Sequence, residues 1–140
     1  MRELRSALTG LVVAVPGAEM GCARLLDGLG AVHTDRRAAA IDDVQFARGD
    51  GPCVEAARSG RPVLAAVTEI RTFWPEFARA AREFRIRGVV AVPLVERAEL
   101  LGTLSFYGRF APEAEEVARW AGLAVIDQVR RERGAPRLVR

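Results

Sequence analysis

The sequence has no lysine: its 21 basic residues are all arginine, against 18 acids, for a formal charge of +3 over 140 residues. This one-sided choice reads as coding bias. It still excludes a nucleotide-binding phosphate loop, because the short Gly49-x-Gly51 turn lacks the lysine such a loop needs. Histidine is nearly absent. His33 stands alone without a nucleophile signature beside it, so a serine or cysteine triad finds no base. An imidazole can ligate haem iron. His33, however, lies near a predicted strand end next to Thr34 and Asp35, an ordinary exposed setting, and no haem or other cofactor is expected. The two cysteines, Cys22 and Cys53, are too few for a disulfide framework or a thiolate metal site. They suit a reducing cytoplasm, each as a small buried apolar residue. The paired acids Asp42-Asp43 and Glu115-Glu116 diverge as neighbours and make no ready metal site. No apolar run approaches the ~20 residues that span a bilayer. Leu8 to Val15 is apolar but runs into a strand pattern without a clean cleavage site, so a packed first helix is expected there rather than a signal peptide.

What remains is ordinary globular composition, 50% hydrophobic and 28% charged, over a length that suits one domain spanning residues 1–140. Helix is predicted over about 2–15, stopped by Pro16-Gly17. Strands follow over about 19–27 and 30–36, joined near Asp27-Gly28. Residues 34–48 read as polar and irregular, with a short helical turn around Ala38 to Gln45. A helix from about Gly51 to Ser59 has Asp50 as its candidate cap, Pro52 in its first turn and Gly60 at its end. A strand at Pro62 to Val67 precedes an amphipathic helix of about three turns carrying Phe73, Trp74, Phe77, Ala81 and Phe84. Gly88 to Val95 reads as a central strand buried on both faces, with Pro93 implying a bulge or an amide facing an edge. It pairs with Leu100 to Arg109. The final helix covers about 112–133, leaving a 134–140 tail. Its apolar face is Ala114, Val117, Ala118, Ala121, Ala124, Val125 and Val129, with Trp120 at the edge and Leu123 and Ile126 outside the arc. That excess predicts a partner surface at Trp120, Leu123 and Ile126, the first helix or a second copy. Arg130, Arg131, Arg133, Arg137 and Arg140 cluster at the end but lack interleaved aromatics, so a solvated helix terminus is expected rather than a nucleic-acid site. The element order indicates an α+β fold with a mainly antiparallel sheet, terminal helices on one face and a pocket on the other.

Several segments recur in a fixed order: Asp43 and Gln45, then Gly49-Asp50-Gly51-Pro52-Cys53 with Glu55-Ala56, then Ser59-Gly60-Arg61-Pro62. Trp74-Pro75 with Phe77, Gly88 through Leu94, and Leu101-Gly102-Thr103-Leu104 leading to Tyr107 complete the set. In this order and spacing the chain resembles a GAF domain across roughly residues 15–130. The likeness is nearest to the bacterial GAF sensors often fused to RNA-binding ANTAR modules. It implies a GAF/PAS-like fold and a non-catalytic, ligand-sensing function. No ANTAR segment lies within the sequence, so output is expected through a separate partner protein or a homodimer. Ala65-Ala66-Val67 is apolar where such sensors usually carry an acid.

Within that frame, Trp74 and Phe77 are expected to wall a pocket for an unknown small molecule. Gln45 and the amides at Gly51 and Cys53 would offer polar contacts. Val90, Val92, Leu104 and Phe106 alternate onto one strand face and would form the floor. A thiol in a helix's first turn has a lowered pKa and raised reactivity, which makes Cys53 the one candidate nucleophile. The free methionine-sulfoxide reductases of this fold use further cysteines, one of them just before the strand corresponding to Gly88–Leu94. The equivalent stretch here, Arg82 to Arg87, has none. A structural Cys53 and no catalytic residue are therefore expected. The alternatives are a pocketless protein-interaction domain and a cysteine redox enzyme.

Overall fold

The computed structural model describes residues 1–26, 28 and 30–133. Asp27 of the expected hairpin turn and the 134–140 tail, with Arg137 and Arg140, lie outside the described residues. The elements run α1 (Arg2–Ala14), β1 (Ala18–Leu25), β2 (Gly30–His33), α2 (Arg36–Arg48), α3 (Pro52–Ser59) and β3 (Val63–Ala66). They continue with α4 (Val67–Phe73), α5 (Pro75–Glu83), β4 (Gly88–Glu96), β5 (Glu99–Gly108) and α6 (Glu113–Glu132). The five strands form one antiparallel sheet in the order β2-β1-β5-β4-β3. Among the described residues no helix is long and apolar enough to cross a membrane.

Two apolar layers sandwich the sheet. On one face α1 and α6 bury Leu4, Leu8, Ala118 and Val125 against Leu94, Leu104 and Phe106. On the other, α2, α3 and α5 bury Ile41, Cys53 and Phe77 against Met20, Val89 and Tyr107. Strand parity decides which residue joins which layer. Val90, Val92, Leu104 and Phe106 do share a face, but it is the face covered by the terminal helices, so they are core and not a pocket floor. The opposite parity, Val89, Ala91, Ser105 and Tyr107, faces α2 and α3.

Three local departures from the sequence expectation have identifiable causes. First, α2 is a full helix rather than a short turn. Asp35 caps it by accepting the Ala38 amide at 3.0 Å, and Gly49 ends it in the left-handed region at φ 69°. Its inward face carries Asp42 and Gln45 beside Ala38 and Ile41, so the apolar periodicity is diluted. Second, the helix expected from Phe73 is two helices. The residue before a proline is pushed out of helical geometry, and Trp74 sits at φ −138°, ψ 69° between α4 and α5. Third, the N-cap of α3 is Gly51 rather than Asp50, with Pro52 opening the helix.

Pro93 lies past the last β3 partner of β4, so its missing N–H falls where no neighbouring strand needs it. The β4–β5 register shifts one residue later, between Leu94 and Val95. On α6, Ile126 is buried in the core with Gly122, while Trp120 (66% exposed) and Leu123 (57%) face outward. Ala124 is exposed as well. Gly122 explains the rotation: a Cβ there would stand 3.1 Å from Val92 Cγ1, so its absence lets the Gly122–Ile126 side approach β4. Ile126 is therefore not part of an outward surface.

Candidate functional site

The expected site residues Gln45, Gly51, Cys53 and Phe77 do converge, but into a filled core. The turn of α2 carrying Gln45 faces the first turn of α3, and Gln45 bridges the two. Its Oε1 accepts the Cys53 amide at 2.8 Å, which supplies the cap that Gly51 lacks a side chain to give. Its Nε2 donates to Tyr107 Oη at 3.0 Å and to Cys53 Sγ at 3.2 Å. Gly51 is required beneath it: at φ 132°, with its would-be Cβ 2.6 Å from Gln45 Oε1, only glycine fits. The network continues along β5, where Ser105 Oγ lies 3.3 Å from Tyr107 Oη and donates to the Cys22 carbonyl at 3.4 Å. Gln45, Cys53, Phe77 and Tyr107 are all fully buried. Trp74 is half-buried and packs edge-on against Phe73 at 5.9 Å between ring centroids, outside this network.

One helical turn before Gln45, Asp42 is buried and paired with Arg24, whose Nε donates to Asp42 Oδ2 at 2.6 Å. The same guanidinium reaches Asp43 Oδ1 at 2.7 Å and stacks 4.8 Å over the Phe46 ring. The adjacent acids diverge as expected, Asp42 into the core and Asp43 to solvent, and one arginine reaches both. Among the described residues, Asp42 Oδ1 has no hydrogen-bond partner. Burial raises the Asp42 carboxyl above the usual carboxylate range, against the pull of Arg24.

This setting reverses the expectation for Cys53. The helix N-terminus favours a thiolate, but burial dominates and pushes the Cys53 thiol up to about 12. Burial raises Cys22 further still, followed by the charge of Asp42. Both cysteines are free and buried. Neither is a nucleophile at neutral pH in this conformation.

Open space lies elsewhere, at the outer end of the same helical layer. A groove of about 680 Å3 runs between α4, α5 and the segment entering β4. Ile70, Ala78, Ala81 and Ile86 form its apolar floor, and Arg71, Arg82, Arg85 and Arg87 its rim. The end of α5 shapes it: the Arg85 amide donates to the Arg82 carbonyl at 3.0 Å and the Ile86 amide to the Ala81 carbonyl at 2.7 Å. These two bonds close a Schellman turn with Arg85, at φ 61°, in the place glycine usually takes. The sequence reading passed over both the groove and its arginines. A weak signal was present in four arginines between 79 and 87, but only the break at Trp74 brings α4 beside them. A second groove of about 600 Å3 borders the exposed Trp120 and Leu123 on α6.

No curated protein matches the sequence. Among solved structures, the chain is similar to a GAF domain region assigned to a membrane protein of Geobacter sulfurreducens PCA. Identity is 16%, the TM-score is 0.70, and 92% of this chain and 94% of that one are covered. It is also similar to a domain assigned to a two-component sensor histidine kinase of Sinorhizobium meliloti 1021, with 18% identity, a TM-score of 0.64, and coverage of 94% and 91%. The type II free methionine-R-sulfoxide reductase of Thermoplasma acidophilum is a further neighbour, at 13% identity, TM-score 0.59, and 93% and 91% coverage. These likenesses establish the fold, and the family model for the GAF domain matches residues 2–124. The chain belongs to the GAF domain family.

Proposed function

We propose that this domain is a non-catalytic regulatory module that binds a small molecule in the α4–α5 groove and passes the signal through its terminal helices. The groove is the observation that carries the reading: about 680 Å3 is the size of a small-ligand site, and its floor is apolar. α4 and α5 are joined at Trp74 and share the groove floor, so a ligand between them can alter how α5 seats Phe77 and Ala81 on the sheet. Beyond the sheet lies α6, whose outward Trp120 and Leu123 offer an apolar surface to a second copy or to a partner protein. Two free buried thiols suit work in a reducing cytoplasm. A redox enzyme needs a thiolate within reach of substrate, and Cys53 has neither the exposure nor the ionisation.

The test is native mass spectrometry of the domain purified from its own cells, beside an Ala78→Phe variant that fills the groove. A small molecule released on denaturation, one per chain and absent from the variant, supports the reading. An adduct retained equally by the variant, or a bare chain in both, overturns it.

A pocketless interaction domain is the second reading. It is favoured by the solid packing of Gln45, Cys53, Phe77 and Tyr107, where the ligand was expected to sit. A folded domain that holds no small molecule but whose Trp120 emission shifts on adding a partner would support it.

A further inference from the structure

We infer that the α4–α5 groove selects a small organic anion, a phosphate or carboxylate on a compact apolar body. The inference rests on the groove being the ligand site. Its four rim guanidiniums come from separate places: Arg71 on α4, Arg82 near the end of α5, Arg85 in the Schellman turn and Arg87 just before β4. Among the described residues no carboxylate lines the groove. Among the described residues, none of these four side chains takes part in a hydrogen bond or ion pair. Elsewhere some arginines are paired, Arg24 with Asp42 and Asp43, Arg48 with Glu76, Arg130 with Glu96 and Arg131 with Asp127, while others, such as Arg36, Arg79 and Arg97, have no such partner among the described residues. Four guanidiniums without a hydrogen-bond or ion-pair partner among the described residues thus surround one groove with an apolar floor.

Guanidinium forks bind phosphate and carboxylate in a bidentate manner, and several converging forks favour a multiply charged group. The apolar floor at Ile70 and Ile86 then takes an organic body rather than a bare ion. Nucleic acid fits less well, because among the described residues no aromatic side chain lines the groove to stack a base.

The experiment is calorimetric titration of the domain with sodium pyrophosphate and, separately, sodium succinate, at neutral pH and constant ionic strength. Two variants accompany the wild type. Arg85→Gly removes a rim charge where the backbone already prefers glycine, so the fold is retained. Arg58→Gln removes an arginine outside the groove. The expected result is saturable binding, one anion per chain, unchanged in Arg58→Gln and weakened about ten-fold or more in Arg85→Gly, as for loss of one charge-assisted hydrogen bond. Tighter pyrophosphate than succinate assigns a phosphorylated ligand, and the reverse order a carboxylate. No saturable binding of either, or equal affinity in Arg85→Gly, overturns the anion assignment. So does tighter binding of a single-stranded RNA oligonucleotide that competes with pyrophosphate. If these titrations fail while an uncharged adduct still leaves with Ala78→Phe, the sensing reading stands and only the anion class falls. If both fail, both fall.

Discussion

Gln45 ties α2, α3 and β5 together, and removing its amide isolates what that tie is worth. In Gln45→Met the side-chain length and most of the volume remain, while the acceptor for the Cys53 amide and the donor to Tyr107 are lost. The Cys53 amide is then a buried, unpaired N–H, which costs about 1–3 kcal/mol. Tyr107 keeps Ser105 and Cys53 within reach, at 3.3 and 3.6 Å, so its loss is the smaller, about 0.5–1 kcal/mol. The sum predicts a destabilisation of about 1.5–4 kcal/mol. Gln45→Ala adds a cavity term, so its cost exceeds that of Met by roughly 1–2 kcal/mol unless a water enters and restores the amide's partner. Met is therefore the cleaner probe. Urea unfolding followed by circular dichroism measures both, with an unchanged m-value marking a change in stability rather than in compactness. A Gln45→Met domain within about 0.5 kcal/mol of wild type would refute the claim that this buried amide holds the α2–α3 junction.

Gly51→Ala places a methyl against Gln45 Oε1 at a φ of 132° and is expected to cost about 2–3 kcal/mol in the same assay; a neutral substitution would mean that Gln45 moves aside freely. Stability is predicted to fall with alkali. The unfolded thiols ionise near 9 while folded Cys53 holds its proton to about 12, so the folded state binds more protons across that window. The loss approaches 1.4 kcal/mol per pH unit for each thiol, Tyr107 adding to it at the upper end. A Cys53→Ala domain unfolding with the same pH slope as wild type would contradict this. At the outward face of α6, Leu123→Glu is expected to convert a dimer to a monomer in sedimentation at micromolar concentration while the chain stays folded, because Leu123 is 57% exposed in the single chain. Ile126→Glu, by contrast, puts a charge into the core and is expected to unfold the domain. A wild-type monomer, or a dimer indifferent to Leu123→Glu, removes the second copy as the partner.

Local chemistry by itself determined a good deal of this protein. The terminal helices, the strand at Gly88 to Glu96, the proline and glycine that start and end α3, and the family likeness all follow from short-range pattern: apolar spacing, turn residues and fixed order along the chain. The convergence of Gln45, Gly51 and Cys53 was legible for the same reason, since all three sit within a few residues of one glycine turn. The tertiary structure decided what that pattern leaves open. An alternating strand announces two faces without saying which neighbour covers each, so Val90, Val92, Leu104 and Phe106 were assignable to one face but not to the terminal-helix side. A thiol at a helix start is activated or silenced according to the depth of its burial, a sum over residues distant in sequence, and here burial outweighs the dipole. The inward side of α6 turned on one glycine opposite Val92. The groove exists only because Pro75 breaks a helix at Trp74 and folds α4 back beside the end of α5, bringing Arg71 to Arg82, Arg85 and Arg87.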